Sequence, residues 1–420
     1  MNMDGRRVVV TGLGVLAPGG ANDVATFWRM ALASTGTLAG PITAFDASQF
    51  STTFACEVKG YDPEAHFSRK DLRSKDKFVQ YAQVAAREAV TQARLNGEGI
   101  DRDRCGVIFG SGIGGIGTLE EQHKRFLEKG PGRISPFLCA MMLSNLAAGE
   151  IAIEHGLRGV NKSQCTACAT GNHAIGDAFD CIRWGKADLM IAGGSEAALT
   201  PMGFGGFCSI HALSKQNADP TRASCPFDVR HDGFVMGEGA GAVVLEALDH
   251  ARQRGATILA EIVGYGATDD AYHITAPVEG GAGLARAMQL ALADANLQPA
   301  DIDYINAHGT STPVGDPLEV AAIKTVCGDH ARQLVVSSTK STFGHLLGAT
   351  AAVELVACVK AIGTGIIPPT VNLDQPDLAK GCDLNFAPLR PVEKPVRVAM
   401  NNSLGFGGHN ASLIVKQFAD

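Results

Sequence analysis

No stretch of the 420-residue chain is apolar and uninterrupted for long enough to read as a membrane span, so a bilayer-crossing role is not expected. The start, residues 1–7 followed by a strand, lacks the pattern of a secretory signal. Basic residues are not in excess: the formal net charge is −7, which argues against broad nucleic-acid binding. Eleven cysteines are present without a short disulfide-like framework, which fits a reducing cytosol and a cytoplasmic placement. What is there is 45% hydrophobic content, enough for a large core, and 50 glycines that imply many tight turns and close approaches.

Short apolar strands alternate with helices, which argues for α/β layers, and the order of elements repeats faintly in two halves. Expected strands at residues 7–11, 106–109, 159–166 and 189–192 have counterparts at 260–264, 304–307, 334–338 and 396–400. Residues 239–246 and 411–416 would close a mixed five-stranded sheet in each half, with helices of both halves packed between the sheets. The boundary falls near residue 255, giving halves 1–255 and 256–420 that share one core.

Cys168 stands where a strand joins a helix, in Thr166-Ala167-Cys168-Ala169-Thr170-Gly171, and Ile175, Ala178, Phe179 and Ile182 then recur with the spacing of one helical face. The helix should begin at or beside Cys168 and stop near Gly185. A thiol at a helix N-terminus feels unpaired N–H groups and a positive dipole end, which lower its pKa and can also bind an oxyanion. A free cysteine usually packs as a small hydrophobe, so the assignment needs partners. Asn306-Ala307-His308-Gly309-Thr310 follows the apolar stretch 302–305 and reads as a loop at a strand's C-terminal end. A second strand leads through Ser337-Ser338-Thr339-Lys340 to Gly344-His345 and a long Ala- and Leu-rich helix from about Leu346. Either histidine alone would read as structural; with Cys168 they suggest a nucleophile served by two imidazoles.

Two features imitate other sites. Gly12-Leu13-Gly14 after residues 8–10, and Gly110-Ser111-Gly112-Ile113-Gly114-Gly115 after 107–109, resemble dinucleotide fingerprints. The first lacks an acidic residue ending a second strand, and the second runs into a polar helix ending near Gly130. Cys165-Thr166-Ala167-Cys168 has redox spacing, but a thioredoxin-like reading leaves both histidine motifs unexplained.

The motifs at 166–171, 306–316, 337–348 and 402–410 occur in an order that closely resembles a beta-ketoacyl-acyl carrier protein synthase of the type II elongating kind, among the thiolase-like condensing enzymes. The resemblance covers the whole chain and implies an αβαβα thiolase-like fold. It implies that Cys168 takes an acyl group from the phosphopantetheine thiol of a carrier protein, that His308 and His345 stabilise the enolate left by malonyl decarboxylation, and that the carbanion attacks the Cys168 thioester. The N–H groups of Cys168 and Phe406 would form the oxyanion hole. Ile113 would line the acyl pocket, with Phe406, Gly407 and Gly408 as its gate. Asp316 and Glu319 would hold the His308 loop. Lys340 either tunes the histidines or pairs with a carboxylate, for which Glu354 on the apolar helix is the natural candidate. The resemblance assigns no metal ligands and no bound cofactor, since phosphopantetheine arrives on the substrate.

The acidic carrier protein needs a basic landing area, and Lys70 and Arg73 match docking positions of the family, with Lys75 compensating for Ser74. In the resembling enzymes the strand before the cysteine meets its mate at a dimer interface. Here it reads Asn161-Lys162-Ser163-Gln164-Cys165, whose Lys162 and Gln164 sit poorly opposite themselves unless a polar network or a dissimilar partner accommodates them. Ala140-Met141-Met142 also departs from the pattern where the mate borders the acyl pocket. The expected partner is therefore a second copy or a chain-length-factor-like subunit. The alternative to fatty-acid elongation is the ketosynthase of a type II polyketide or polyene synthase. A thiolase is the weaker reading, because Gly405-Phe406-Gly407-Gly408 stands where a second cysteine would be expected.

Overall fold

The computed structural model describes residues 5–95 and 100–419; residues 1–4, which belong to the start segment discussed above, 96–99 and 420 lie outside the described residues. The first half contributes β1 (Val8–Leu16), β2 (Cys105–Gly110), β3 (Asn161–Lys162), β4 (Leu189–Glu196) and β5 (Gly239–Ala247). The second contributes β6 (Ala260–Asp269), β7 (Tyr304–Asn306), β8 (Val335–Ser337), β9 (Val398–Gly405) and β10 (His409–Lys416). They are hydrogen-bonded in the order β8-β7-β9-β10-β6-β1-β5-β4-β2-β3. Outward from the centre, each half runs first, fifth, fourth, second, third in its own chain order.

The two five-stranded sheets expected from the sequence are joined into one. Val8, Val9 and Val10 pair antiparallel with Ile262, Glu261 and Ala260 while their other edge pairs with β5, so the start of β1 has no free backbone edge. Strand β3 is shorter than the expected 159–166. After Lys162 the chain leaves the ladder, keeping a bond from the Ser111 N–H to the Gln164 carbonyl at 3.2 Å, and turns toward Cys168.

Five helices complete the layers: α1 (Lys77–Ala93), α2 (Thr170–Arg183), α3 (Ala282–Asp294), α4 (Gly315–Cys327) and α5 (Thr350–Thr364). Strand alternation sorts the core among them. In β5, Val243 and Leu245 join the central cluster with Ile175 of α2 and Val356 of α5, while Ala242 and Val244 join the cluster that contains α1. In β10, Leu413 and Val415 face the central cluster and Ile414 faces the α3 side. The result is the αβαβα arrangement, with α2 and α5 between the two sheet halves. The segment Leu347–Thr364 is long and apolar enough to cross a membrane by length and composition, but 83% of it is buried, as this central position requires.

The glycines of β1 have a packing role. A Cβ on Gly14 would lie 1.9 Å from the Ala85 carbonyl oxygen of α1, and one on Gly12 would lie 2.1 Å from that of Ala89. Gly264 and Gly266 of β6 approach the Ala291 and Ala287 carbonyls of α3 at 2.3 and 2.0 Å in the same way. The run that imitates a nucleotide fingerprint is thus a seam where helix and sheet touch backbone to backbone. Each central helix is also entered through a short 3₁₀ turn, Ala167–Ala169 before α2 and Leu347–Ala349 before α5, and each turn opens on a left-handed residue, φ 49° at both Ala167 and Leu347.

Candidate active site

Cys168 occupies the middle of the 3₁₀ turn. A left-handed alanine is strained, and the turn is held by the Thr166 N–H donating to Thr170 Oγ1 at 2.9 Å and the Thr170 hydroxyl donating to the Ala167 carbonyl at 2.7 Å. Burial pushes the Cys168 thiol up to about 12. Lys340 pulls against it, Glu196 adds to it, and the backbone N–H groups of Cys168 and Phe406 pull it down. The lowering expected from the helix N-terminus is outweighed: a dipole acts over one turn, whereas desolvation comes from everything packed around the sulfur, and the resting thiol keeps its proton.

The sulfur faces a cavity of about 380 Å³ whose walls include Cys168, His308, His345, Glu319, Phe406 and Gly408. His308 follows β7 and His345 precedes α5, with ring centroids 5.5 Å apart at 89°. Glu319 on α4 accepts from the His308 N–H at 2.8 Å and the Gly309 N–H at 2.7 Å. Asp316 accepts from the N–H groups of Ser311 at 3.1 Å, Thr312 at 3.3 Å and Phe227 at 2.8 Å. The two acids thereby fix the loop that carries His308, and burial raises Glu319 to about 7. His345 Nδ1 lies 2.8 Å from Thr350 Oγ1, which sets the orientation of its ring.

Burial drives both imidazoles well below the usual histidine range, the Lys340 cation adds to this, and His345 depresses His308 further. Both rings are neutral at pH 7, each with one N–H. Lys340 Nζ stands 2.6 Å from Glu354 Oε1, and both side chains are at most 2% exposed. Neither residue lines the cavity. Burial lifts Glu354 above the usual carboxylate range and Lys340 opposes this. Ile113 and Gly407 do not line the cavity; Ile113 is 36% exposed on the Gly110–Gly115 loop.

A neutral thiol, two neutral imidazoles and two convergent backbone donors can take up an acyl group and stabilise two successive oxyanions. Residues 5–251 match the family described as beta-ketoacyl synthase, N-terminal domain, and residues 259–374 match its C-terminal domain. The chain belongs to the beta-ketoacyl synthase family.

Among similar proteins is the 3-oxoacyl-[acyl-carrier-protein] synthase 2 of Synechocystis, 48% identical over 99% of this chain and 99% of its own. The enzyme of the same name from Staphylococcus aureus strain N315 is 49% identical over 98% and 99%, and that of Coxiella burnetii 48% over 100% of both chains. Among solved structures, one of a type II PKS acyl-carrier protein in complex with its ketosynthase bound to the hexaketide aligns with TM-score 0.91 at 35% identity, covering 99% of this chain and 100% of that one. The ishigamide ketosynthase/chain length factor aligns with TM-score 0.90 at 37% identity over the same shares.

This beta-ketoacyl synthase also holds site residues that sequence reasoning passed over. Glu196, at the end of β4, accepts from Ser111 Oγ at 2.7 Å and from the N–H groups of Gly112 at 2.9 Å, Ile113 at 3.2 Å and Gly348 at 3.1 Å. It ties the Gly110–Gly115 loop to the turn before α5, next to Cys168, and burial raises it to about 7. The available signal was a lone acid closing an otherwise apolar strand. Thr350, Phe207, Phe234 and the stretch from Asp270 to Pro277 were likewise missed.

Of the expected docking residues, Lys70, within the short helix Arg69–Leu72, and Arg73, which ends it, are exposed. Lys75 is not available: it is buried and ion-paired with Glu150, so its charge is spent inside the fold. On β3, Lys162 is exposed, while the Gln164 amide donates to Asp177 of α2 within the same chain.

Proposed function

We propose that this beta-ketoacyl synthase lengthens acyl chains in fatty-acid elongation by decarboxylative Claisen condensation. The observation that carries the reading is one cavity in which Cys168, His308 and His345 converge beside the N–H groups of Cys168 and Phe406. The Cys168 sulfur attacks the acyl thioester of an acyl carrier protein. The tetrahedral oxyanion rests on the two N–H groups, and the phosphopantetheine thiol leaves with the proton given up by Cys168. Malonyl carrier protein then enters and loses carbon dioxide, and the enolate oxygen is held by His308 and His345. The carbanion attacks the acyl–Cys168 thioester, releasing the thiolate and giving a 3-oxoacyl chain two carbons longer.

In this reading Lys340 and Glu354 set the field at the histidines, Asp316 and Glu319 keep His308 in place, and the loop carrying Phe406, Gly407 and Gly408 opens the pocket. Ile113, outside the cavity wall as it stands, borders the acyl chain once that loop has opened, and Lys70 and Arg73 receive the acidic carrier. The units 1–255 and 256–420 act as the two halves of one thiolase-like body in the cytoplasm, with no bound cofactor.

The fatty-acid assignment follows the relatives of the same length at 48–49% identity. The polar edge of β3, with Lys162 exposed, favours a second reading in which the chain is a polyketide ketosynthase paired with a chain-length-factor-like subunit.

Intact-mass spectrometry tests both. Acylation of Cys168 and a two-carbon extension by the chain alone support the first reading, and extension only with a non-identical partner supports the second. Retained condensation in Cys168→Ala, or retained malonyl decarboxylation in His308→Ala with His345→Ala, would overturn the chemistry.

A further inference from the structure

Five rings border the cavity as a continuous chain. His308 meets His345 at 5.5 Å and 89°, His345 meets Phe234 at 5.2 Å and 72°, Phe234 meets Phe207 at 5.5 Å and 78°, and Phe207 meets Phe406 at 6.4 Å and 39°. Each spacing is that of a favourable aromatic pair, three of them edge to face. The rings come from well-separated parts of the sequence, yet all five line the same cavity. One end of the chain carries the backbone donor of Phe406, and the other carries the two imidazoles.

Among the described residues, Phe406 forms a ring pair with Phe207 alone. Its neighbours are Gly405, Gly407 at φ 90° and Gly408 at φ 85°, which contribute no side chains. The turn is tied by the Gly407 N–H donating to the Ile274 carbonyl at 2.8 Å and the Asp270 N–H donating to the Gly408 carbonyl at 2.9 Å. Both ties act on backbone and leave the direction of the Phe406 ring open. Phe207, in the last turn of the helix Pro201–Ser209, is the ring against which it rests. Phe234 is buried and joins Phe207 to His345, whose orientation is set on its other side by Thr350.

We propose that Phe207 is a positioning residue that couples the Phe406 oxyanion donor to the His345 enolate donor through Phe234. When Phe406 lies against Phe207, its N–H is held at the Cys168 sulfur and the same contact braces the His345 ring. Movement of Phe406 away from Phe207 loosens both, so the two half-reactions respond to one contact. This inference rests on the roles proposed above for Cys168, Phe406 and His345.

The test measures three things on Phe207→Leu and Phe207→Tyr: the rate of Cys168 acylation by acyl carrier protein, the rate of malonyl carrier protein decarboxylation, and the urea midpoint. Leucine keeps apolar bulk but loses both ring pairs, and tyrosine keeps the ring. The expected result is a loss of about tenfold in each rate for Phe207→Leu, at unchanged half-saturation by the carrier and unchanged midpoint, with Phe207→Tyr within about twofold of the parent. In a Phe406→Ala background, Phe207→Leu should add no further loss in acylation, because the ring it acts through is gone. Parent-like rates in Phe207→Leu, an effect that adds fully to Phe406→Ala, or equal losses in both substitutions with a lowered midpoint would each overturn the coupling. If Phe207→Leu does not fold, Phe207→Met is measured against the same criteria. Failure of the parent chain to acylate Cys168 would sink the functional reading itself, whereas acylation by the parent with an indifferent Phe207→Leu sinks only this inference.

Discussion

Removing one partner of the Lys340–Glu354 pair should be far more harmful than removing both. At 2.6 Å and at most 2% exposure, each charge depends on the other for almost all of its compensation. In Lys340→Met, Glu354 keeps only a long contact to Thr339 Oγ1 at 3.5 Å, and its raised pKa will climb further until it is neutral. In Glu354→Leu, a buried ammonium faces two neutral imidazoles. Breaking a buried pair from either side costs about 3–5 kcal/mol, whereas replacing both partners by apolar groups of similar volume is often neutral. Urea unfolding of the two single variants and of Lys340→Met with Glu354→Leu should therefore show two large losses and a recovery to within about 1 kcal/mol of the parent. Activity separates structure from chemistry. The Lys340 cation is the second cause of the depressed His308 and His345 pKa values, so its loss lets both rings move back toward the ordinary range. Condensation in the double variant should stay about tenfold low despite restored stability. A Lys340→Met protein as stable as the parent would refute the ion-pair reasoning, and full condensation in the double variant would reduce Lys340 to a structural residue.

Three further outcomes are expected. With its thiol at about 12, Cys168 should be alkylated by iodoacetamide at a rate that rises about tenfold per pH unit from about pH 7 to about pH 10, because the thiolate fraction rises with pH throughout; a plateau near pH 8 would reveal a thiolate–imidazolium pair instead. Lys70→Glu with Arg73→Glu should raise the KM for carrier protein in a way that fades at high salt, while Lys75→Ala should leave KM unchanged and cost about 1–3 kcal/mol of stability; a KM effect of Lys75→Ala would return it to the docking surface. Gly14→Ala places a methyl 1.9 Å from the Ala85 carbonyl and should cost about 3 kcal/mol or more in urea unfolding, as should Gly266→Ala against Ala287 at 2.0 Å; parent-like midpoints would mean that the helices can withdraw freely.

The positions of most strands, the central helices and the three residues that one cavity brings together were legible because each left a local mark: apolar runs of the right length, a small-residue turn before an amphipathic helix, and histidines at loop positions after strands. Lys340 and Glu354 could be paired from the sequence because a charge on so apolar a helix demands a partner. What escaped was set by tertiary surroundings. Lys75 sits in a run of charges that reads as solvated, and nothing in that run shows that Glu150 waits beneath it. The protonation of Cys168 depends on the mass of protein around it and so could not be read from the turn that carries it. Glu196 has no motif, since its four donors come from two distant glycine-containing turns. The ring chain joins residues 406, 207, 234, 345 and 308, which no spacing rule connects.

The paired 3₁₀ turns at the entrances of α2 and α5 give the duplicated scaffold two equivalent pedestals, yet only one can bear a reactive side chain. Gly348 holds the place in the second turn that Cys168 holds in the first, and a Cβ there would lie 2.4 Å from the Gly112 nitrogen and 2.8 Å from Glu196 Oε2. The vacancy at one pedestal is what lets the loop beside the other close over it. The two pedestals are therefore not interchangeable: a side chain moved from the first turn to the second would have to displace the very loop that Glu196 ties down there.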